Sequence, residues 1–330
     1  MANVNVRQVN GGEVTVLKAL HSFLLDDGTN SNYIEATSLF NLMASEGALL
    51  NAKLSVTVSS NDLVVALKTW AGSDPSTSDV AYVKINGTLR AITAATSITL
   101  ADATNWFNLG GTPHAALENN LFAYAVWDSN SSIVALSIAR IPYGKLVSEF
   151  SATTTNEKYL GNQANFTATD DVVNIGRFAA TLSAAAGHVW TVPTFTSANL
   201  INTPTFESDW YTWIPSPTGY SAVPTNVVYR YRIVGKEVTV QVREVTAGTS
   251  NATTMTMTAP FTSLTLSNAG WWNQGQGVDN SVSLTTPIMV QIGSGSGTLS
   301  FFKDTSPSGT AWTNTNSKRI SFVELKYQIA

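Results

Sequence analysis

Alternation of apolar and polar residues with a period of two, broken by Gly, Ser, Thr and Asn, runs through most of residues 51 to 330 and constrains this chain more than any other feature. Tyr229, Tyr231 and Ile233 fall on one face of a strand before Val234-Gly235-Lys236-Glu237, and Val238, Val240 and Val242 fall on one face after it. Gly235 and Lys236 suffice to close that hairpin. The pattern returns in Met255 and Met257, Leu264 and Leu266, Ile288, Val290 and Ile292, and Leu299 and Phe301. It ends with Val323, Leu325, Tyr327 and Ile329 set against Glu324, Lys326 and Gln328. Strands that hide one face and wet the other are what an antiparallel sandwich requires.

Between 51 and 200 the same period marks Leu54, Val56 and Val58; Leu63, Val65 and Leu67; Ala81, Val83 and Ile85; Phe122, Tyr124 and Val126; and Val134, Leu136 and Ile138. Asn86-Gly87 signals a tight turn. Residues 1 to 50 differ: Val14, Leu17, Leu20, Leu24, Ile34, Leu39, Leu42, Met43 and Leu50 are spaced as helical stripes, and residues 36–44 read as a short helix ended by Gly47. The stretch from Phe195 to Pro217 reads as a proline-rich linker, with Trp210 and Trp213 packing under the sheet that follows. The expected fold is therefore mainly β: two antiparallel β-sandwich or jelly-roll domains, 51–200 and 201–330, behind a short, partly helical segment, 1–50. That segment either packs on the β domain or serves as a docking and oligomerisation element; it holds no heptad run long enough for a coiled coil.

Hydrophobic residues make up 44% of the 330, which excludes a mainly disordered chain. Charged residues are only 12%, so Ser, Thr, Asn and Gly must cover much of the surface, as is common in β-rich extracellular or virion proteins. A net charge of -4 offers no broad basic face for nucleic acid. With no cysteine, disulfides, thiolate nucleophiles and Cys-held metals drop out. The first residues lack a secretory signal, and no window approaches the roughly 20 apolar residues of a membrane span.

Few residues point to chemistry. His21, His114 and His188 have no metal-ligand spacing, and no Gly-x-Ser-x-Gly elbow occurs. The run Gly293-Ser294-Gly295-Ser296-Gly297 lacks the Lys-Ser/Thr of a phosphate loop and reads as a connection between strands. Asp26-Asp27 and Asp170-Asp171 point to opposite faces if extended, while Glu207 and Asp209 share a face beside the prolines. Asp26-Asp27-Gly28 and the pair Asp74 and Asp79 are oxygen-rich but form no calcium-loop motif. The expectation is thus no catalytic residue, metal or cofactor. Recognition is best sought in Gly270-Trp271-Trp272-Asn273-Gln274-Gly275-Gln276-Gly277, read as a loop: Trp271 and Trp272 offer flat faces to a sugar ring, and Asn273, Gln274 and Gln276 offer amides to its hydroxyls. The alternative is one Trp in the core and the other in a subunit interface.

Several strings together resemble a known family. Tyr211-Thr212-Trp213-Ile214-Pro215, Tyr229 through Val240, Ala259-Pro260-Phe261 and the ending Gly297 through Ala330 resemble the C-terminal domain of tailed-bacteriophage virion proteins. Ser55-Val56-Thr57-Val58, Asn105-Trp106-Phe107-Asn108, Ser137 through Tyr143 and Thr153 through Tyr159 resemble a recurrent phage structural module. The resemblance implies a jelly roll similar to the C1q and tumour-necrosis-factor folds, assembled as a homotrimer on tail fibres, head fibres or capsid decorations. It further implies synthesis in the host cytoplasm, display on the virion surface and contact with other virion proteins through the N-terminal region, with a C-terminal domain that either adheres to the host surface, where a glycan is the candidate partner, or caps the fibre. A capsid-decoration protein that cements the shell and a polysaccharide depolymerase are the competing classes. The trimer axis is expected along the inward faces of the last strand, including Tyr327 and Ile329.

Overall fold

A computed structural model describes residues 22–26, 31–102, 118–143, 159–161, 169–183, 188–267 and 270–329. In the first lobe the strand Glu118–Asp128 pairs with Ile133–Ala139 on one side and Asp171–Leu182 on the other. Tyr159–Gly161, Trp190–Thr191 and Leu200–Ile201 extend this sheet to six strands. Two three-stranded sheets pack against it: Lys53–Ser59, Asp62–Lys68 and Thr96–Leu100, and Leu49–Leu50, Ala81–Ile85 and Thr88–Ile92. One core joins all three, with Leu63, Val65, Val83 and Ile98 meeting Leu121, Ala123, Leu136 and Phe178. Within Glu118–Asp128 both faces are buried, which is why residues 121–126 are apolar without interruption. Asn86 and Gly87 both take positive φ, the type I′ geometry that suits the strand twist.

The second lobe is one long antiparallel sheet. Its order runs Tyr211–Thr212, Thr225–Val234, Glu237–Thr246, Ser317–Gln328, Gly270–Asp279, Ile288–Gly293, Thr298–Phe302, Thr256–Thr258, Pro217–Thr218. Three of these strands form a meander from Gly270 to Phe302, and Ser317–Gln328 returns beside the first of them, a Greek-key arrangement. The strands at the two ends of the order are separated in sequence only by residues 213–216, so the sheet must curl back on itself. Trp213 stitches the seam: its backbone N–H donates to Tyr229 O at 3.1 Å and its Nε1 to Thr258 O at 3.1 Å. Inside the curl lie Tyr231, Ile233, Val240, Met257, Phe261, Val290, Leu299 and Leu325, with the Tyr231 and Phe261 rings edge to face at 5.1 Å. The described residues are therefore mainly β, with two antiparallel lobes of sandwich or jelly-roll type and, among these residues, one short helix near the N-terminus.

Several local expectations hold. Val234 and Glu237 pair, and Gly235 alone takes positive φ between them (57°), the pattern of a type II′ turn. Residues Ala36–Met43 form the helix, and Gly47 follows with φ 79°.

Other expectations are corrected. Leu24 and Ile34 lie in paired strands, Ser22–Asp26 and Ser31–Glu35, rather than on a helical stripe; the Asp-Asp-Gly between them is a turn signal that outweighs the spacing of the apolar residues. Leu264 and Leu266 are outside any strand, because only Ser263 makes a bridge there, to Ile329. The stretch read as a linker instead pairs with both lobes, through Leu200–Ile201 and Tyr211–Thr212. Val14, Leu17 and Leu20 lie outside the described residues.

The lobes are joined by the segment that follows Ile133–Ala139. Arg140 is 2% exposed; its Nη2 donates to Tyr231 Oη at 2.6 Å and its guanidinium lies 5.1 Å from the Phe261 ring centre. Ile141 belongs to the second lobe's core, and its carbonyl accepts a hydrogen bond from Tyr124 Oη at 2.6 Å. This cation docks one lobe onto the other through the Tyr231 and Phe261 rings.

Candidate functional site

The aromatic-amide segment forms a strand, Gly270–Asp279, paired with Ile288–Gly293 and with Ser317–Gln328. Its glycines serve close packing rather than loop freedom. A Cβ on Gly275 would sit 2.5 Å from Phe322 O and 2.7 Å from Val323 Cβ. Being a strand, it sends neighbouring residues to opposite faces. Trp271 turns inward, half-buried, its ring 6.5 Å from that of Tyr327. Asn273 is engaged with the backbone: its Nδ2 donates to Glu324 O at 2.8 Å and its Oδ1 accepts from Gln274 N–H at 2.8 Å. Trp272 is 63% exposed and shares the wetted face with Gln274 and Gln276. Gln291 lies directly across from Trp272. The five residues thus divide into an outward row of Trp272, Gln274 and Gln276 and two residues with internal partners.

A second site lies where the lobes meet. A cleft of about 420 Å³ is lined by Arg177 and Ile201 from the first lobe, Thr205 through Asp209 in part, and Trp210 and Arg232 from the second. The sequence had singled out Glu207 and Asp209 as carboxylates sharing a face. Each has an arginine of its own: Asp209 Oδ2 is 3.1 Å from Arg177 Nη1, and Glu207 Oε1 pairs with Arg232 Nη2. The walls are pinned by backbone hydrogen bonds, Ser208 N to Ile233 O at 2.9 Å and Gly235 N to Phe206 O at 2.7 Å. Arg177 is 8% exposed, its Nη2 donates to Ala198 O at 3.0 Å, and its buried Nε has no acceptor among the described residues. Trp210 is 36% exposed and carries the Arg230 guanidinium 4.8 Å from its ring centre, so it is not a packing residue under the sheet as Trp213 is. No spacing rule joins Arg177 and Arg232 to residues 205–210; only the meeting of the lobes does.

Buried ionisable groups elsewhere have internal partners. Glu244, 1% exposed, accepts from Ile320 N–H at 2.6 Å, Tyr229 Oη at 2.9 Å and Tyr220 Oη at 3.3 Å. Burial pushes its carboxyl up to about 7, and these hydrogen bonds only partly offset that. Burial likewise raises both tyrosine hydroxyls, and Glu244 adds to the rise. The Lys318 ammonium donates to Ala252 O at 2.7 Å and Thr254 O at 3.3 Å beneath the Tyr220 ring; burial lowers its pKa. Asp279 is held by Lys303 Nζ at 2.8 Å and by Thr313; burial acts to raise its pKa, and these partners outweigh burial to lower it.

The remaining candidates also have structural partners. His188 Nδ1 lies 2.8 Å from Ser183 O, while His21 and His114 are outside the described residues. Asp74 pairs with Lys68, Asp79 accepts from Asn51, and Asp170 caps Ser129. Among the described residues no group of three or more His, Asp or Glu is placed to hold a metal ion, and no helix is long and apolar enough to cross a membrane. Tyr327 and Ile329, expected on a trimer axis, are each 1% exposed within the chain's own core, and Tyr327 Oη donates to Phe261 O at 2.9 Å. Compared with protein-family models, with curated proteins and with solved structures, the chain matches none.

Proposed function

We propose that the chain is a non-enzymatic structural protein of a tailed-phage virion, displayed at the surface as a homotrimer, that adheres to host-surface glycan. The observation that carries the adhesive part is the outward row of Trp272, Gln274 and Gln276 on a paired strand, with Gln291 across from the indole. A ring fixed on a sheet offers a flat apolar face at little entropic cost, and the flanking amides donate to and accept from hydroxyls. The virion and trimer assignments rest on the resemblance of residues 211–240 and 297–330 to phage C-terminal domains. Against hydrolysis stands the engagement of each carboxylate in the junction cleft by an arginine, which leaves no free acid and base pair there.

The test uses the full chain, labelled and purified. Staining of candidate host cells, competition with phage adsorption and a trimer mass by light scattering are expected. A folded protein that neither stains cells nor blocks adsorption, yet whose loss weakens the capsid, overturns adhesion in favour of shell decoration. Release of sugar from host polymers overturns the non-enzymatic assignment.

A further inference from the structure

We propose that the cleft between the lobes is a second glycan subsite, selective for neutral pyranose units. This inference rests on the adhesive reading above and adds a place and a ligand class to it.

Three observations converge. The first is charge. Arg177 with Asp209 and Arg232 with Glu207 balance within the cleft, so an arriving carboxylate, sulfate or phosphate would have to displace an internal partner. A sugar hydroxyl faces no such competition. It donates to a carboxylate lone pair and accepts from a guanidinium N–H at once, and two crossed ion pairs present both kinds of group side by side. The Glu207 and Asp209 side chains remain 54% and 70% exposed and that of Arg232 39%, so these groups have edges free for a ligand.

The second is the indole. Trp210 lines the cleft with the Arg230 guanidinium over its ring, so an entering group meets the other face or the ring edge. Arg230 is itself held, its Nε donating to Gln241 Oε1 at 2.6 Å, and Gln241 donates to Glu324 at 2.7 Å. A tryptophan braced in this way is a stacking surface for the apolar face of a pyranose.

The third is size and rigidity. A volume of about 420 Å³ falls within the roughly 300–1,000 Å³ of small-ligand sites. The chain around Phe206, Glu207 and Ser208 is tied to the hairpin end by Ser208 N to Ile233 O, Gly235 N to Phe206 O and the Glu207 to Val234 bridge, so the site is already shaped before a ligand enters.

The test is titration calorimetry of the full chain with neutral di- and trisaccharides and with uronic-acid and sialylated counterparts, at low and high salt. Two variants probe the cleft: Trp210→Ala removes the stacking face, and Thr205→Trp fills the space while leaving both ion pairs and the Thr205 N–H to Asn174 bond intact. Trp272→Ala is the control on the outer row, and circular dichroism verifies the fold of each. The inference expects neutral sugars to bind with little salt dependence. Trp210→Ala and Thr205→Trp should each weaken binding by about tenfold or more, in the wild-type chain and equally in a Trp272→Ala background, where the outer row is removed and cell staining falls by itself. Wild-type binding that survives in folded Trp210→Ala and Thr205→Trp proteins overturns the cleft and leaves the adhesive reading standing. Binding confined to acidic sugars with steep salt dependence overturns the neutral class. A wild-type chain that binds neither sugars nor cells removes the adhesive reading itself and this inference with it.

Discussion

Replacing Glu244 by Gln is expected to remove most of the second lobe's stability change between pH 5 and pH 8. The carboxyl lies 1% exposed inside the curled sheet, and burial holds its proton up to a pKa of about 7 against an ordinary 4.5. The folded chain therefore binds this proton more tightly than the unfolded chain. Stability from this group is fully present below the unfolded value and is lost as pH rises through about 7. At about 1.4 kcal/mol per pH unit, the ionised form at high pH is disfavoured by about 3 kcal/mol, of which 2–3 kcal/mol falls between pH 8 and 5. The amide of Gln keeps an oxygen for Ile320 N–H and an N–H₂ for the tyrosine hydroxyls, and it cannot ionise. Tyr220 and Tyr229 are raised well above this window and Lys318 forms its bonds to main-chain carbonyls, leaving Arg319 as the cation whose charge favours the ionised carboxylate. Denaturant unfolding of wild type and Glu244→Gln at several pH values should give curves that meet near pH 5 and diverge by about 2–3 kcal/mol at pH 8, with the variant the more stable there. In melting temperature the gap is on the order of 5–10 °C. Two parallel pH profiles, separated by a constant amount, would refute the assignment of the titration to this residue.

Gly275→Ala should cost about 2–3 kcal/mol in denaturant midpoint analysis, since its Cβ would press on Phe322 O and Val323 Cβ. Gly235→Ala, with open space and only its positive φ to accommodate, should cost about 1 kcal/mol. Trp213→Phe keeps the ring in the core but loses the Nε1 bond to Thr258 O across the seam; a loss of about 1–2 kcal/mol by thermal or chemical unfolding is expected. Arg140→Ala removes the donor to Tyr231 and the cation over Phe261, and calorimetry should show the single transition broadening into two as the lobes uncouple, with a loss of about 3 kcal/mol.

Residues that alternate cleanly carry their structure in the sequence itself. Tyr229 to Ile233 and Val238 to Val242 gave both the hairpin and its inward face, and Asn86-Gly87 gave its turn, because period and turn chemistry are local. The same parity pointed to Glu244, which is two residues beyond Val242 on the buried face; a charge at an inward position was a signal open to reading. What local rules could not supply was context. Glycines at 270, 275 and 277 look alike whether they loosen a loop or let two strands approach, and only the pairing with Val323 and Ile288 separates these cases. Trp210 and Trp213 stand three residues apart in one proline-rich stretch, yet one lines a cleft and the other seals the sheet. Arg140 docks the lobes and Arg177 walls the cleft through partners roughly 90 and 30 residues away, which no spacing rule reaches.

The position of Ser317–Gln328 in the middle of the second sheet has a consequence for how the chain is made. Its neighbours on the two sides, Glu237–Thr246 and Gly270–Asp279, leave the ribosome well before it does, each with an edge of unpaired amides and carbonyls. At a synthesis rate of roughly 5–20 residues per second, those edges wait on the order of ten seconds for the strand that covers them. The sheet is thus completed only once Ser317–Gln328 has left the ribosome. The polar residues on the wetted faces, among them Gln241, Arg243, Gln274 and Gln276, stand where nascent neighbours on one polysome would otherwise join edge to edge.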